Sequence, residues 1–79
     1  MLNNCTYELA QIFRFILHLP DDADVSKIRR INETRWDSLA TVTLVAALES
    51  EFGITLDSHE IERLTSFQAT LLLLSEKRQ

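Results

Sequence analysis

The sequence predicts an all-α fold, a small four-helix bundle with three longer helices, one short third helix and a long connection between the first two. Apolar residues recur in the first segment at intervals of three and four, which is the spacing of one helix face. Glycine and proline occur once each, at Gly53 and Pro20, so few residues interrupt helices. No segment has the pattern of a β-strand.

The first helix is predicted from an apolar stripe formed by Leu9, Ile12, Phe13, Ile16 and Leu17. Asn4 or Thr6 is expected to cap the start of this helix. Pro20 and the two aspartates that follow it are expected to end it, because proline disfavours helical backbone in the residue before it.

The connection between the first two helices covers residues 20–35 and shows no sustained hydrophobic period. Long connections in compact domains tend to be functional or to contain a short helical turn. From Lys27 to Arg35 the connection carries four basic residues and one glutamate. The apolar residues expected to anchor it are Val25, Ile28 and Ile31.

The second helix is predicted over Leu39–Phe52, with Asp37 or Ser38 as its cap. Gly53 stands where a left-handed residue commonly ends a helix. This helix has two apolar stripes on a helical wheel. One is expected to face the core and consists of Leu44, Val45, Leu48 and Phe52. The other lies on roughly the opposite side and consists of Leu39, Val42 and Ala46. The second stripe is either covered by the long connection or left open for a partner.

Two further helices are predicted from their capping signals. Asp57, followed by Glu60 at the third helical position, opens a short helix through Leu64. Residues 65–68 then read as a T-x-x-Q capping box, which starts a last helix that runs towards Lys77.

Size and charge exclude several classes of function. A chain of 79 residues is expected to form one domain, residues 1–79, with little room for a catalytic pocket, so it is expected not to be an enzyme. A single cysteine and two histidines match no metal-ligand spacing. The net charge of −4 argues against nucleic-acid binding. No segment resembles a membrane span or a signal peptide, so we expect a cytoplasmic monomer without membrane insertion.

The run from Asp37 to Leu56 closely resembles the acyl carrier proteins. The residues that carry the resemblance are Asp37-Ser38-Leu39, Val42, Leu44-Val45, Ala47-Leu48-Glu49 and Glu51-Phe52-Gly53-Ile54. The resemblance implies that Ser38 is esterified with 4′-phosphopantetheine, obtained from coenzyme A, whose thiol holds acyl groups as thioesters. It also implies as partners a phosphopantetheinyl transferase and the acyl-activating enzymes, acyl-transfer enzymes and synthases of fatty acid, polyketide or specialised lipid and secondary-metabolite pathways.

The resemblance further implies a surface that faces these enzymes. Its residues are Asp37, Leu39, Val42, Ala46 and Glu49, with Glu60 and Glu62 of the third helix. The charges agree, since the stretch from Asp37 to Glu62 has six acidic residues and no lysine or arginine. The interior residues Leu44, Leu48, Phe52, Ile54, Ile61, Leu64 and Phe67 are expected to form the core, with admission of an acyl chain as the alternative.

The pattern also departs from that of the carriers of fatty acid synthesis. Trp36 replaces the glycine that usually stands two residues before the serine. Trp36 either shields the base of the prosthetic arm or fills the junction between the connection and the second helix. Two other functions remain open: an aminoacyl or peptidyl carrier, and an unmodified helical module that binds other proteins.

Overall fold

The computed structural model describes residues 2–77, with side chains from residue 6 onward. Within this range the chain forms four helices and no strand, which confirms the predicted all-α fold. The helices are α1 (Leu2–Leu17), α2 (Ser38–Phe52), α3 (Ser58–Glu62) and α4 (Phe67–Lys77). The connection between α1 and α2 contains two short 3-10 turns, Val25–Lys27 and Arg30–Asn32. No helix of the described part is both long enough and apolar enough to cross a membrane.

The two ends of α1 differ from the prediction. The helix begins at Leu2, so neither Asn4 nor Thr6 stands at its start. At the other end His18 adopts a left-handed conformation with φ of 56°. This places the Leu19 N–H 2.9 Å from the Arg14 carbonyl oxygen, the hydrogen bond of a Schellman-type helix end. Pro20 therefore follows a helix that has already ended.

Both ends of α2 follow the local sequence. The carboxylate of Asp37 accepts a hydrogen bond from the Ala40 N–H at 2.8 Å, which identifies Asp37 as the cap. Gly53 has φ of 64° and donates its N–H to the Glu49 carbonyl oxygen at 3.0 Å, as the prediction of a left-handed residue requires. These local signals set the position of α2 along the chain, and so the position of Ser38 at its first turn.

The third and fourth helices are shorter than predicted. The capping box of Asp57 and Glu60 is confirmed, but α3 ends at Glu62. The cap of α4 is Ser66, whose hydroxyl accepts the Ala69 N–H at 2.9 Å, so the predicted box starting at Thr65 is wrong. The carbonyl oxygen of Thr65 accepts the Arg30 N–H at 2.8 Å, and this contact with the long connection keeps Thr65 outside the helix.

The core lies between α1, α2 and α4. Phe13 is its central aromatic residue and makes edge-to-face contacts with both Trp36 and Phe67, with ring centroids 5.2 Å apart in each pair. Full burial of each large apolar side chain stabilises the fold by about 1.5–3 kcal/mol. The core stripe predicted for α2 is confirmed: Leu44 and Leu48 are buried, and Val45 and Phe52 are half-buried against the core.

The long connection packs away from the exposed side of α2. Val25 is buried, and its 3-10 turn contacts α1 and α4. Ile28 is half-buried against the core. Ile31 is 86% exposed, so its prediction as an anchor is wrong. Two backbone hydrogen bonds just before it in the chain, at Ile28 and Arg30, fix the connection to the start of α4, while the Ile31 side chain stays in solvent.

Candidate functional site

Ser38 is the first residue of α2 and is exposed. Because Asp37 provides the helix cap, the Ser38 hydroxyl is not needed for capping. It makes no hydrogen bond to any residue in the described part of the chain. The serine is therefore accessible to a modifying enzyme, and its modification removes no capping contact.

A buried hydrogen-bond chain positions the backbone next to Ser38. The indole Nε1–H of Trp36 donates to the Thr41 hydroxyl at 3.0 Å, and that hydroxyl donates to the Asp37 carbonyl oxygen at 3.2 Å. Trp36 is 3% exposed and Thr41 9%, so the chain is shielded from water. Sequence reasoning missed Thr41, because a threonine one turn into a helix carries no signal of a buried partner.

These contacts decide between the two predicted roles of Trp36. The ring is buried against Phe13, and the indole nitrogen bonds inside the protein. Trp36 thus fills the junction between the connection and α2, and it does not cover the surface at Ser38.

The residues at the start of α2 fit a phosphodiester. The first N–H groups of a helix have no partner within the helix, and the positive end of the helix dipole lies there. A phosphate on the exposed Ser38 oxygen would lie beside these groups. Phosphopantetheine is a phosphodiester, and the exposed Ser38 oxygen is accessible enough to bear one.

The second apolar stripe of α2 is open to solvent. Leu39 is 73% exposed and Val42 65%, and Ala46 is exposed as well. We call these three residues the α2 ridge. Since the connection packs on α1 and α4, it does not cover the ridge. Leu39 directly follows Ser38 in the chain, so the exposed apolar surface begins beside the serine.

The acidic residues predicted for the partner surface have different surroundings. Glu49 is half-buried, and its carboxylate accepts the Leu56 N–H at 2.9 Å, which holds the loop between α2 and α3. Glu62 is exposed and makes no ion pair with a described residue. The contribution of these carboxylates to partner binding stays a prediction.

Glu60 is engaged on two sides within the protein. Its carboxylate accepts the Asp57 N–H at 3.0 Å and binds the Lys77 ammonium at 2.9 Å. The hydrogen bond from the Asp57 backbone, followed by the contact with Lys77, lowers the pKa of the Glu60 carboxyl below its ordinary value of 4.5. Glu60 therefore links α3 to the end of α4, a role that the sequence did not indicate.

The interior positions mostly form the packed core. The buried residues are Leu44, Leu48, Leu64 and Phe67, and the half-buried ones are Phe52, Ile54 and Ile61. A narrow apolar gap between α1 and α2, beside Trp36 and Leu44, has no room for a water molecule. At these positions the structure therefore shows core packing, the first of the two roles predicted for these residues.

One side chain near Ser38 was not among the site residues predicted from the sequence. Phe15 of α1 is 82% exposed and lines a surface depression of about 360 Å³. Asp37 and Leu39, the two neighbours of Ser38 in the chain, line the same depression. Phe15 escaped notice because it lies outside the apolar stripe of α1, and its spacing alone indicates only a surface position.

Comparisons with known proteins agree with this site. Residues 8–74 match the protein family described as "Phosphopantetheine attachment site". The chain is 31% identical over 72 residues to "Acyl carrier protein 2, chloroplastic" of Spinacia oleracea, an alignment that covers 91% of this chain and 55% of that protein. It is 46% identical over 41 residues to "Acyl carrier protein" of Petrotoga mobilis, covering 52% of this chain and 48% of that protein.

A third relative is "Acyl carrier protein 4, chloroplastic" of Cuphea lanceolata, 33% identical over 61 residues, covering 77% of this chain and 44% of that protein. The chain thus spans about half the length of these curated relatives. No solved structure matches it. With most of its length covered by the family match, the chain belongs to the phosphopantetheine attachment site family, whose members are carriers of covalently attached 4′-phosphopantetheine and not catalysts.

Proposed function

We propose that residues 1–79 form one acyl carrier domain in which Ser38 bears 4′-phosphopantetheine. The thiol of this arm holds acyl groups as thioesters and delivers them to biosynthetic enzymes. The observation that carries the proposal is the exposed Ser38 hydroxyl at the start of α2, free of the capping role because Asp37 performs it.

The attachment reaction needs little from this chain. The Ser38 oxygen attacks the phosphorus of coenzyme A that bears the pantetheine group, and a new O–P bond forms. The pyrophosphate bond breaks, 3′,5′-ADP leaves, and a base of the transferase takes the hydroxyl proton. This chain contributes an accessible Ser38 oxygen, next to a backbone held by the Trp36–Thr41–Asp37 contacts, and a helix N-terminus that favours the phosphodiester.

The proposed partners are the phosphopantetheinyl transferase and the enzymes that load or use the acyl group. The α2 ridge begins at Leu39 beside the serine and offers them an apolar contact. Asp37, Glu49, Glu60 and Glu62 add negative charge around it, which attracts basic surfaces. The names of the relatives support an acyl cargo over an aminoacyl one. Fatty acid, polyketide and specialised lipid pathways all use such carriers, and we propose that this one acts as a cytoplasmic monomer, with a plastid as the alternative given by the chloroplastic relatives.

An intact-mass measurement tests the proposal. The chain is incubated with coenzyme A and a broad-specificity phosphopantetheinyl transferase, and one phosphopantetheine increment is expected. Ser38→Ala should abolish it. Ser58→Ala is the matched control, because Ser58 is likewise an exposed first residue of a helix that is capped by the preceding aspartate, Asp57. Absence of the increment from folded wild-type chain, or its loss in Ser58→Ala alone, refutes the proposal.

The exposed α2 ridge also favours a second candidate, a helical module that binds other proteins without being modified. This candidate predicts that the chain purified from its own cells carries no arm. It also predicts that Ser38→Ala binds its partners as the wild type does. Mass measurement of the native protein separates the two functions.

A further inference from the structure

Two aromatic side chains of α1 lie outside the core. Tyr7 is 67% exposed and Phe15 is 82% exposed, although the same helix buries Leu9 and Phe13 completely or nearly so. Each aromatic lines a depression between α1 and α2. The two depressions, of about 300 and 360 Å³, share Phe15 and Ile16. They meet at these two side chains, and we call the pair the α1–α2 groove.

One end of this groove is at the proposed attachment site. Asp37 and Leu39 line it, and these residues flank Ser38 in the chain. A specific protein interface covers about 800 Å² on each partner. The solvent-accessible surface of the chain is 5275 Å², so an interface of this size covers about a seventh of it. Phe15 lines the same depression as the two neighbours of Ser38, so an enzyme interface of this size centred on Ser38 has Phe15 within its reach.

The chemistry of the groove indicates the kind of surface that fits it. Next to Ser38 its apolar walls are formed by Phe15, Leu39 and Ala40, and polar side chains at the same end belong to His18, Arg35, Asp37 and Thr43. At the far end Glu8 and Glu51 line it, and neither makes an ion pair with a described residue. An apolar side chain at the near end and a cationic group at the far end complement these walls.

We propose that the phosphopantetheinyl transferase binds this carrier through the α1–α2 groove in addition to the α2 ridge. An apolar side chain of the transferase packs between Phe15 and Leu39, and a basic group faces Glu8 and Glu51. Phe15 is then a determinant of recognition on the first helix. The inference rests on the proposed attachment of the arm to Ser38.

The test measures arm transfer at varied carrier concentration, with coenzyme A saturating and product quantified by mass spectrometry. Phe15→Ser is expected to raise KM about tenfold, the effect of losing one well-packed interface side chain, with kcat within about twofold. Phe15→Leu keeps an apolar group and should restore most of the affinity. The matched control is Leu72→Ser on α4, because Leu72 is also an exposed apolar side chain, at 58%.

A second variant tests the charge at the far end. Glu51→Lys places a cation opposite the proposed basic group and should raise KM at low salt, with a smaller effect as salt rises. Circular dichroism confirms that each variant is folded. An unchanged KM in both Phe15→Ser and Glu51→Lys, or an equal rise in Leu72→Ser, overturns the inference while leaving the proposed function intact. Failure of the wild-type chain to accept the arm refutes the proposed function itself.

Discussion

The hydroxyl of Thr41 offers the sharpest test of how the start of α2 is held. Thr41→Val keeps the size and branching of the side chain but removes the hydroxyl that accepts the Trp36 indole N–H. Because Trp36 is 3% exposed, water cannot replace that acceptor. An unsatisfied buried donor costs about 1–3 kcal/mol. For a domain of this size each kcal/mol lowers Tm by about 4–8 °C, so a loss of 2 kcal/mol lowers it by about 8–16 °C.

The assay is thermal and urea unfolding followed by tryptophan fluorescence, since Trp36 is the only tryptophan of the chain. Thr41→Ser is the control, because serine retains the hydroxyl and should cost less than Thr41→Val. In a Trp36→Phe background the valine substitution should lose part of its effect, as the donor is gone; circular dichroism replaces fluorescence there. The reasoning is refuted if Thr41→Val unfolds within about 0.5 kcal/mol of the wild type, the range of ordinary surface substitutions.

Two further predictions concern the helix starts. Asp37→Ala removes the cap of α2 and should reduce the free energy of unfolding by about 1 kcal/mol, whereas Asp37→Asn keeps an accepting oxygen and should cost less; equal losses in urea unfolding would contradict the capping assignment. The second prediction is acid sensitivity from Glu60, whose folded pKa is lowered by the Asp57 N–H and then by Lys77. Its contribution is present above the ordinary value of 4.5 and is lost as pH falls through the lower folded pKa, so Glu60→Gln should flatten the fall of stability below pH 4.5. Glu62→Gln is the control. If Glu60→Gln leaves the slope of the unfolding free energy against pH unchanged, the contacts of Glu60 do not contribute to acid unfolding.

Much of the helical framework could be predicted because the signals are local. Asp37 and Gly53 delimit α2 through capping contacts within one turn, and the sequence contains both partners of each contact. The same holds for Asp57 and Glu60 at the start of α3. Ser38 was predicted as the attachment site from the resemblance of residues 37–56 to a family and from its place at a helix start. The structure adds that Asp37, not Ser38, makes the capping bond.

The errors arose where tertiary contacts decide. Thr65 and Ser66 are both good caps, and only the hydrogen bond from Arg30 to Thr65 selects Ser66. Ile31 is as apolar as Ile28, yet its exposure depends on how the connection is fixed to α4. Phe15 belongs to no hydrophobic period, so its position beside the attachment site becomes visible only when α1 and α2 are packed together.

Two backbone hydrogen bonds join the long connection to the start of α4. Arg30 donates to Thr65 at 2.8 Å, and Phe67 donates to Ile28 at 3.0 Å. They close a loop of the chain that contains the whole of α2 and α3. The remaining elements, α1, α4 and the Val25 turn, contact one another and form a frame. Because the entropy of closing this loop is lost once, on folding, the two bonds fix the stretch that contains Ser38 to the frame of α1, α4 and the Val25 turn.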